Sequence, residues 1–438
     1  MLKRAAKRLA KSLGHFLLVS FVLAVIGVGV LISQHGSINM GDAPLAYKVG
    51  GEGPFVFFTN KTPKSSDGTG SDVTGSDVTG SDVTGADETG ADVKGSGNGD
   101  TSVEINYIRG SREDNFFIEK RHVPLTEKTA EPLEVYFALE DATFTFNLKP
   151  LNALNTNTAS VYESNAPILA ISDLEGNYKT FRDFLITHNV INENLEWQFG
   201  EGHLVLVGDM VDRGFSTTQL LWFIYKLEQE AQKAGGVVHY IIGNHELKNL
   251  QGNFKSAANK YIPIAGLLGK TQGDLFSHNS YIGRWLASKN TIEKINGHLF
   301  VHGGIHEDIA NLDLSLQQIN TKAKAYYRQM YFPGVADKVT EALISTETGL
   351  AWYRGYFKDD VSHTFVQKTL DKFDALSVTV GHTLQFKVNK QFDSRVYAID
   401  VKHPDDYRGS FPTKHSEGLL IEKGKFYRLT ETGERIVL

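Results

Sequence analysis

Five short stretches of the chain end apolar runs with side chains able to hold a cation or move a proton. They are Asp173 and Glu175 in "PILAISDLEGNY" (167–178), Asp209, Asp212 and Arg213 in "GDMVDRG" (208–214), Asn244 and His245 in "GNHE" (243–246), His302 in "HGG" (302–304) and His382 in "GHT" (381–383). Each alone has an ordinary explanation: an Asp after a strand caps the next helix, a lone His fills a core or surface position, and glycine turns are common. Their shared placement at strand ends says more. Carboxylates, an amide oxygen and neutral imidazoles are the donor set of divalent cations, and glycines let the backbone turn tightly around them. Two such ions, roughly 3.5–4 Å apart, can bind phosphate oxygens, acidify a water and stabilise in-line displacement at a phosphate ester.

The elements that position these residues alternate. After Pro167 the order is strand "PILAIS", a helix from Tyr178, strand "HLVLVGD", a helix from Thr217, strand "VVHYIIGN", a long helical stretch, "HLFVHGG", further helices, "SVTVGHT" and "RVYAID". This rhythm defines an α/β class, in which chemistry gathers at the carboxyl ends of the strands. The stretch 247–297 exceeds a common connection and predicts a helical cap over the site, with Asn279 and Arg284 as candidates for substrate fit. His306 is expected at the pocket mouth, while His203, His239 and His298 begin or interrupt strands and read as structural.

Upstream, "LAYKVGGEGPFVFFT", "SVEINYIRG", "NFFIEKRHV", "LEVYFAL" and "ATFTFNL" alternate apolar and polar residues without helices, predicting a small all-β domain over 45–148. Within it, 65–100 is a five-residue repeat placing Asp67, Asp72, Asp77, Asp82, Asp87 and Asp92 at equal spacing; its Gly, Ser, Asp and Thr cannot offset ordering entropy, so a disordered insert is expected. Residues 149–165 read as a linker and 166–438 as the catalytic domain. In the basic segment 1–15, Lys3, Arg4, Lys7, Arg8 and Lys11 precede a charge-free run, 16–32. As a helix that run reaches about 26 Å, near the lower limit for a membrane span. The expectation is a single-pass anchor in a bacterial inner membrane, with the catalytic domain on the periplasmic or extracellular side; secretion after signal cleavage is the alternative.

Composition excludes several classes. A net charge of −6 with no clustered basic surface argues against nucleic-acid binding, and the absence of cysteine removes disulfides and thiolate metal sites.

Taken in order, "GDMVDRG", "GNHE", "VHGG" and "VGHT" resemble the motif series of the calcineurin-like metallophosphoesterases, in the phosphoprotein phosphatase branch. "NSYIGRWLASKNTIEKINGHLFVHGGIH" and "TGLAWYRGY" further resemble the bacterial-type Shewanella-like protein phosphatases. The likeness covers about Ala166 to Val401 and implies a sandwich of two β-sheets flanked by helices. It also implies Asp173 on one metal, Asp209 bridging two, and Asn244, His302 and His382 on the second. His245 would be the general acid, oriented by Asp212, with Arg213 and Arg354 clamping phosphate. The family's first motif is G-D-x-H-G, whereas Ser172-Asp173-Leu174-Glu175-Gly176 puts a carboxylate where an imidazole should ligate. Glu175 is read as a ligand biasing the pair of divalent ions toward Mn²⁺ or Mg²⁺ over Zn²⁺, with Fe also open; the competing reading is a salt bridge in a site that has lost its first metal. The implied activity is phosphomonoester hydrolysis by attack of a metal-bound hydroxide, with phosphoprotein favoured and a nucleotide, dinucleoside polyphosphate or sugar phosphate open. From another class, a pseudophosphatase would bind a phosphorylated partner without turnover. Oligomeric state is not legible.

Overall fold

The computed structural model describes residues 2–35, 38–40, 49–59, 102–125, 132–149, 159–334, 336–358 and 361–438, excluding the side chains of 2–12, 30–35 and 38–40. The expected repeat insert 65–100 and most of the expected linker lie outside the described residues. Helix α1 (Leu2–His35) contains the apolar run 16–32, and its described side chains, 13–29, are exposed. Among the described residues no helix is long and apolar enough to cross a membrane. The anchor expectation therefore gains no support from the structure. Strand β1 (Ile38–Met40) follows.

Strands β2 (Phe55–Thr59), β3 (Ser102–Arg109) and β4 (Phe117–Pro124) form an antiparallel sheet, and β5 (Pro132–Phe137) pairs with β6 (Ala142–Asn147) as a hairpin. Period-two alternation is plain in β5, where Leu133, Val135 and Phe137 are buried between more exposed neighbours. The buried face does not close on a core of its own. Phe146 stacks on Trp222 at 4.6 Å between ring centroids, and Phe144 meets Phe223 edge-on at 5.4 Å. The Trp222 indole N–H donates to the Pro54 carbonyl at 2.8 Å. The expected all-β segment is a pair of small sheets whose buried side chains belong to one hydrophobic core with the α/β unit.

The α/β unit follows in chain order. It comprises β7 (Val161–Tyr162), β8 (Ile168–Ile171), α2 (Tyr178–Thr187), β9 (His203–Val207), α3 (Thr217–Lys233), β10 (Val237–Ile241), α4 (Asn244–Leu250), α5 (Tyr261–Leu267) and α6 (Tyr281–Ala287). Next come β11 (Ile292–Ile295), β12 (His298–Val301), α7 (Glu307–Ala310), α8 (Leu316–Tyr326), α9 (Lys338–Ile344), α10 (His363–Lys372) and β13 (Ser377–Val380). It ends with β14 (Asn389–Gln391), β15 (Val396–Ala398), β16 (Gly409–Phe411), β17 (Glu417–Glu422), β18 (Lys425–Thr430) and β19 (Arg435–Val437). One six-stranded sheet has the order β10-β9-β8-β17-β18-β19 and the other β14-β15-β13-β12-β11-β7; β1 pairs with β16 outside both.

Alternate residues of the central strands serve two cores. In β8, Ile168 and Ala170 face the interior between the sheets, while Leu169 and Ile171 face the helices; Val205 and Val207 against Leu204 and Leu206 repeat this in β9. On the second sheet Phe300 joins the inter-sheet core, and Leu299 and Val301 pack toward α7–α10. Parallel β8, β9 and β10, and parallel β12 and β13, consequently deliver their carboxyl ends to one rim.

Candidate active site

The loops at that rim hold the candidate residues in a backbone conformation that side chains rarely adopt. Asp173, Glu175, Asp209, Asp212, Arg213 and His382 all have φ between 49° and 73°. Each such residue costs on the order of 1–3 kcal/mol and persists only where its surroundings impose it. Here they do. Asp173 N–H donates to Gly208 O (3.0 Å), Glu175 N–H to Asp209 O (2.9 Å) and Gly214 N–H to Glu175 O (2.7 Å), lacing the β8 and β9 loops together. Glu246 braces the β9 turn from α4: its carboxylate accepts from the N–H groups of Asp209 (2.9 Å), Met210 (2.8 Å) and Gly243 (2.9 Å) and from the Tyr240 hydroxyl (2.9 Å). A Cβ on Gly208 would lie 2.5 Å from His302 Nδ1, and one on Gly243 2.3 Å from Asp209 Oδ1, so only glycine permits this approach.

Donor atoms of Asp209, His302 and His382 lie within 4.8 Å of one another. The His302 ring donates through Nδ1 to Val207 O (2.7 Å), which leaves Nε2 facing Asp209 Oδ2 at 3.2 Å. Likewise His382 Nε2 donates to Trp352 O (3.0 Å), leaving Nδ1 toward the cluster. Asn244 completes it: Oδ1 faces only acceptor atoms, among them His302 Nε2 (3.1 Å), Asp209 Oδ2 and His382 Nδ1. Turned the other way, the amide nitrogen would donate to His382 Nδ1 (2.9 Å), Asp209 Oδ2 (3.1 Å) and His302 Nε2 (3.1 Å); a cation in this space would instead favour the oxygen inward. Asp209 and His302 hold each other's charge: burial opposes ionisation of Asp209, yet the His302 and His245 rings pull it below the usual carboxylate range, and Asp209 lifts His302 to about 10 against burial, so a cation bound here would have to displace the ring proton. Asp173 sits beside the cluster, its Oδ2 accepting from His382 N–H at 3.1 Å, and burial pushes it up to about 6.

His245 and Asp212, the expected acid and its orienting carboxylate, are in contact. His245 Nδ1 meets Asp212 Oδ2 at 2.6 Å, and Asn249 donates to Asp212 Oδ1 at 2.7 Å, fixing the ring so that Nε2 faces Arg213 Nη2 at 3.3 Å. Arg354 donates to the His382 carbonyl and to Thr383 Oγ1 (3.3 Å) from the wall of the same cleft. That cleft, about 1080 Å³, is lined by Asp173, Glu175, Asp209, Arg213, Asn244 and His245, with Lys248, Arg354, Lys358 and Lys402 adding positive charge.

Glu175 departs from its expected surroundings. Its Oε1 contacts Arg213 Nη1, and its Oε2 accepts from Lys402 Nζ at 2.9 Å. The long connection departs too. Instead of capping the cleft, its apolar residues Tyr261, Ile264, Leu268 and Leu275 pack on Phe55, Phe57 and Ile108 of the N-terminal strands. Asn279 and Arg284 do not line the cleft: the Asn279 carbonyl accepts from Phe58 N–H at 2.7 Å, and the Arg284 guanidinium lies 3.9 Å over the Phe58 ring. Walls come instead from 346–358, with His306 at the rim as expected. His203, His239 and His298 are buried and hydrogen-bonded away from the cleft; His203 Nδ1 lies 2.8 Å from His239 Nε2, and His239 Nδ1 lies 2.6 Å from Glu293. Sequence reasoning missed Glu246, Asn249, Asp400 and Lys402. The signals were present: Asn249 lies one helical turn after His245, and Asp400 and Lys402 follow "RVYAI" at a strand end like the others.

Residues 166–386 match the family model for calcineurin-like phosphoesterases. The chain belongs to the calcineurin-like phosphoesterases, metal-dependent phosphoester hydrolases. It is similar to Shewanella-like protein phosphatase 1 of Plasmodium berghei (29% identity over 275 residues, 58% of this chain and 71% of the relative). It is also similar to Shewanella-like protein phosphatase 2 of Arabidopsis thaliana (23% over 288 residues, 55% and 72%). Among solved structures it resembles the cold-active protein-tyrosine phosphatase of a psychrophilic Shewanella species, with TM-score 0.66 and 29% identity, covering 78% of this chain and 96% of that one.

Proposed function

We propose that the chain is a phosphomonoester hydrolase whose substrates are phosphorylated proteins. The observation that carries this is the Asp212–His245 pair standing beside the Asp209, Asn244, His302 and His382 donor set, since a leaving-group acid has no use in a site that only binds. A divalent cation held by those four residues, Mn²⁺ in first place, would supply charge neutralisation on the phosphoryl oxygens and a more acidic water. The chain's own groups do the rest. Asp212 holds the His245 ring through Nδ1 with Nε2 toward the cleft, from which the ring, as the imidazolium, would give its Nε2 proton to the departing oxygen. Arg213, Arg354 and Lys248 offer donors to a bound phosphate. The cleft volume and open rim suit a side chain on a protein surface, and the names of the phosphatases it resembles support that substrate class.

The test is turnover of p-nitrophenyl phosphate and of phosphotyrosine and phosphoserine peptides by the Mn²⁺-loaded full chain. Hydrolysis abolished in His245→Ala supports the proposal, and absence of any hydrolysis sinks it in favour of a phospho-ligand binder. A nucleotide panel run alongside would move the reading to a nucleotide hydrolase if it were cleaved faster. Placement on the outer side of an inner membrane is likewise a proposal. It rests on the basic residues preceding 16–32 and is checked by protease accessibility in cells against spheroplasts.

A further inference from the structure

Glu175 lies in the rim of the metal cleft with its side chain only 9% exposed, and each of its oxygens already faces a side-chain cation. Arg213 Nη1 contacts Oε1, and Lys402 Nζ donates to Oε2 at 2.9 Å. Among the described residues the cluster whose donor atoms converge is Asp209, His302 and His382, and it includes neither Asp173 nor Glu175. Lys402 reaches this point from the end of β15, 227 residues from Glu175 in sequence, passing Asp400, which is buried beside Asp173. A divalent ion placed on Glu175 would sit against two fixed cations, in a cleft that already holds Arg354 and Lys248; like charges at such range repel strongly in a partly buried site.

The geometry points to a centre that holds one divalent ion per chain, with the Lys402 ammonium, pinned by Glu175, supplying the second positive charge that faces the phosphate. Resting on the phosphatase reading, this makes Glu175 a positioning residue: it orients Lys402 and Arg213 and ligates nothing. Where a first ion's ligands would stand, this chain has an internal Glu–Lys–Arg network. A neutral histidine at 175 would carry no charge to hold Lys402 and Arg213.

Metal stoichiometry decides it. The full chain is loaded with Mn²⁺, desalted, and examined by elemental analysis and low-temperature electron paramagnetic resonance. One Mn²⁺ per chain with an uncoupled six-line spectrum is expected, and in the double variant Glu175→His, Lys402→Ala a second ion with the multiline signature of an exchange-coupled pair. In Glu175→Gln, KM for p-nitrophenyl phosphate should rise about tenfold with Mn²⁺ content unchanged, because Lys402 and Arg213 lose their anchor. Two coupled ions in the wild type, or loss of the single ion in Glu175→Gln, overturns the inference. Should the double variant fail to fold, as judged by circular dichroism, the wild-type count and Glu175→Gln still decide. Two coupled ions with hydrolysis would leave the phosphatase reading standing, and one ion without hydrolysis would do the reverse.

Discussion

The two halves of the cleft solve one electrostatic problem differently. On the β10–β12–β13 side, Asn244, His302 and His382 join Asp209 around one space, with Arg354 Nη2 3.4 Å from His382 Nδ1 and Lys248 Nζ 3.2 Å from the Asn244 amide at its margin. On the β8 side, Glu175 is filled by Arg213 and Lys402. Backbone geometry is alike in both, with Asp173, Glu175, Asp209 and His382 all at positive φ. Identical scaffolding therefore does not dictate identical occupancy. Which side chain follows the turn decides between binding an ion and binding a cation the protein already owns.

Breaking the first half should have the largest effect. Asp209→Ala or His302→Ala should release bound Mn²⁺ and lower turnover by more than the roughly 10–100-fold typical of outer-shell changes, measured by elemental analysis and phosphatase rate together. His245→Ala should lower kcat by about 10²–10⁴-fold while leaving metal content intact, as expected for loss of a general acid; the Asp212→Asn variant should fall at the lower end. A stability change sharpens the contrast between rim and core: Phe146→Ala should cost about 3–5 kcal/mol in chemical denaturation, because its ring stacks on Trp222 inside the shared core. If it costs less than about 1 kcal/mol, the hairpin is an appendage.

The smallest effect is on pH. Burial holds His203, His298 and His403 down at about 4, below an unfolded value of about 6.5. Between those values the unfolded chain binds more protons, so the stability these neutral rings permit is complete above about pH 6.5 and drains away as pH falls toward 4. Asp406, pushed up to about 6 by burial, works in the opposite sense. Denaturant midpoints at pH 7, 5.5 and 4.5 should decline in that order; a flat profile would show that these rings take up protons without cost.

Much of this was legible in sequence because it is local. Strands β8, β9, β10, β12 and β13 are short apolar runs ended by a polar residue and a glycine, and the run, the stop and the ligand type can all be read from a few neighbours. The donor set and the His245–Asp212 pair follow from those stops. What was not legible depends on pairing across long separations. Lys402 meets Glu175 over 227 residues, and no spacing rule announces such a partner. The length of 247–297 suggested a cap, but length could not say which surface its residues would cover; Tyr261, Ile264 and Leu268 pack on Phe55 and Phe57 instead. Aromatic alternation in 132–147 was read correctly as strand, while its destination against Trp222 and Phe223 was set by helix α3, more than seventy residues on.

The left-handed turns have a consequence for how this protein can change. Glu175, Arg213 and His382 occupy conformations that glycine or asparagine would adopt more comfortably. Selection for heat resistance alone would erode them, and drift alone would not keep three bulky side chains in place. Any lineage or library that ages without phosphatase selection should shed chemistry at these turns before it sheds fold.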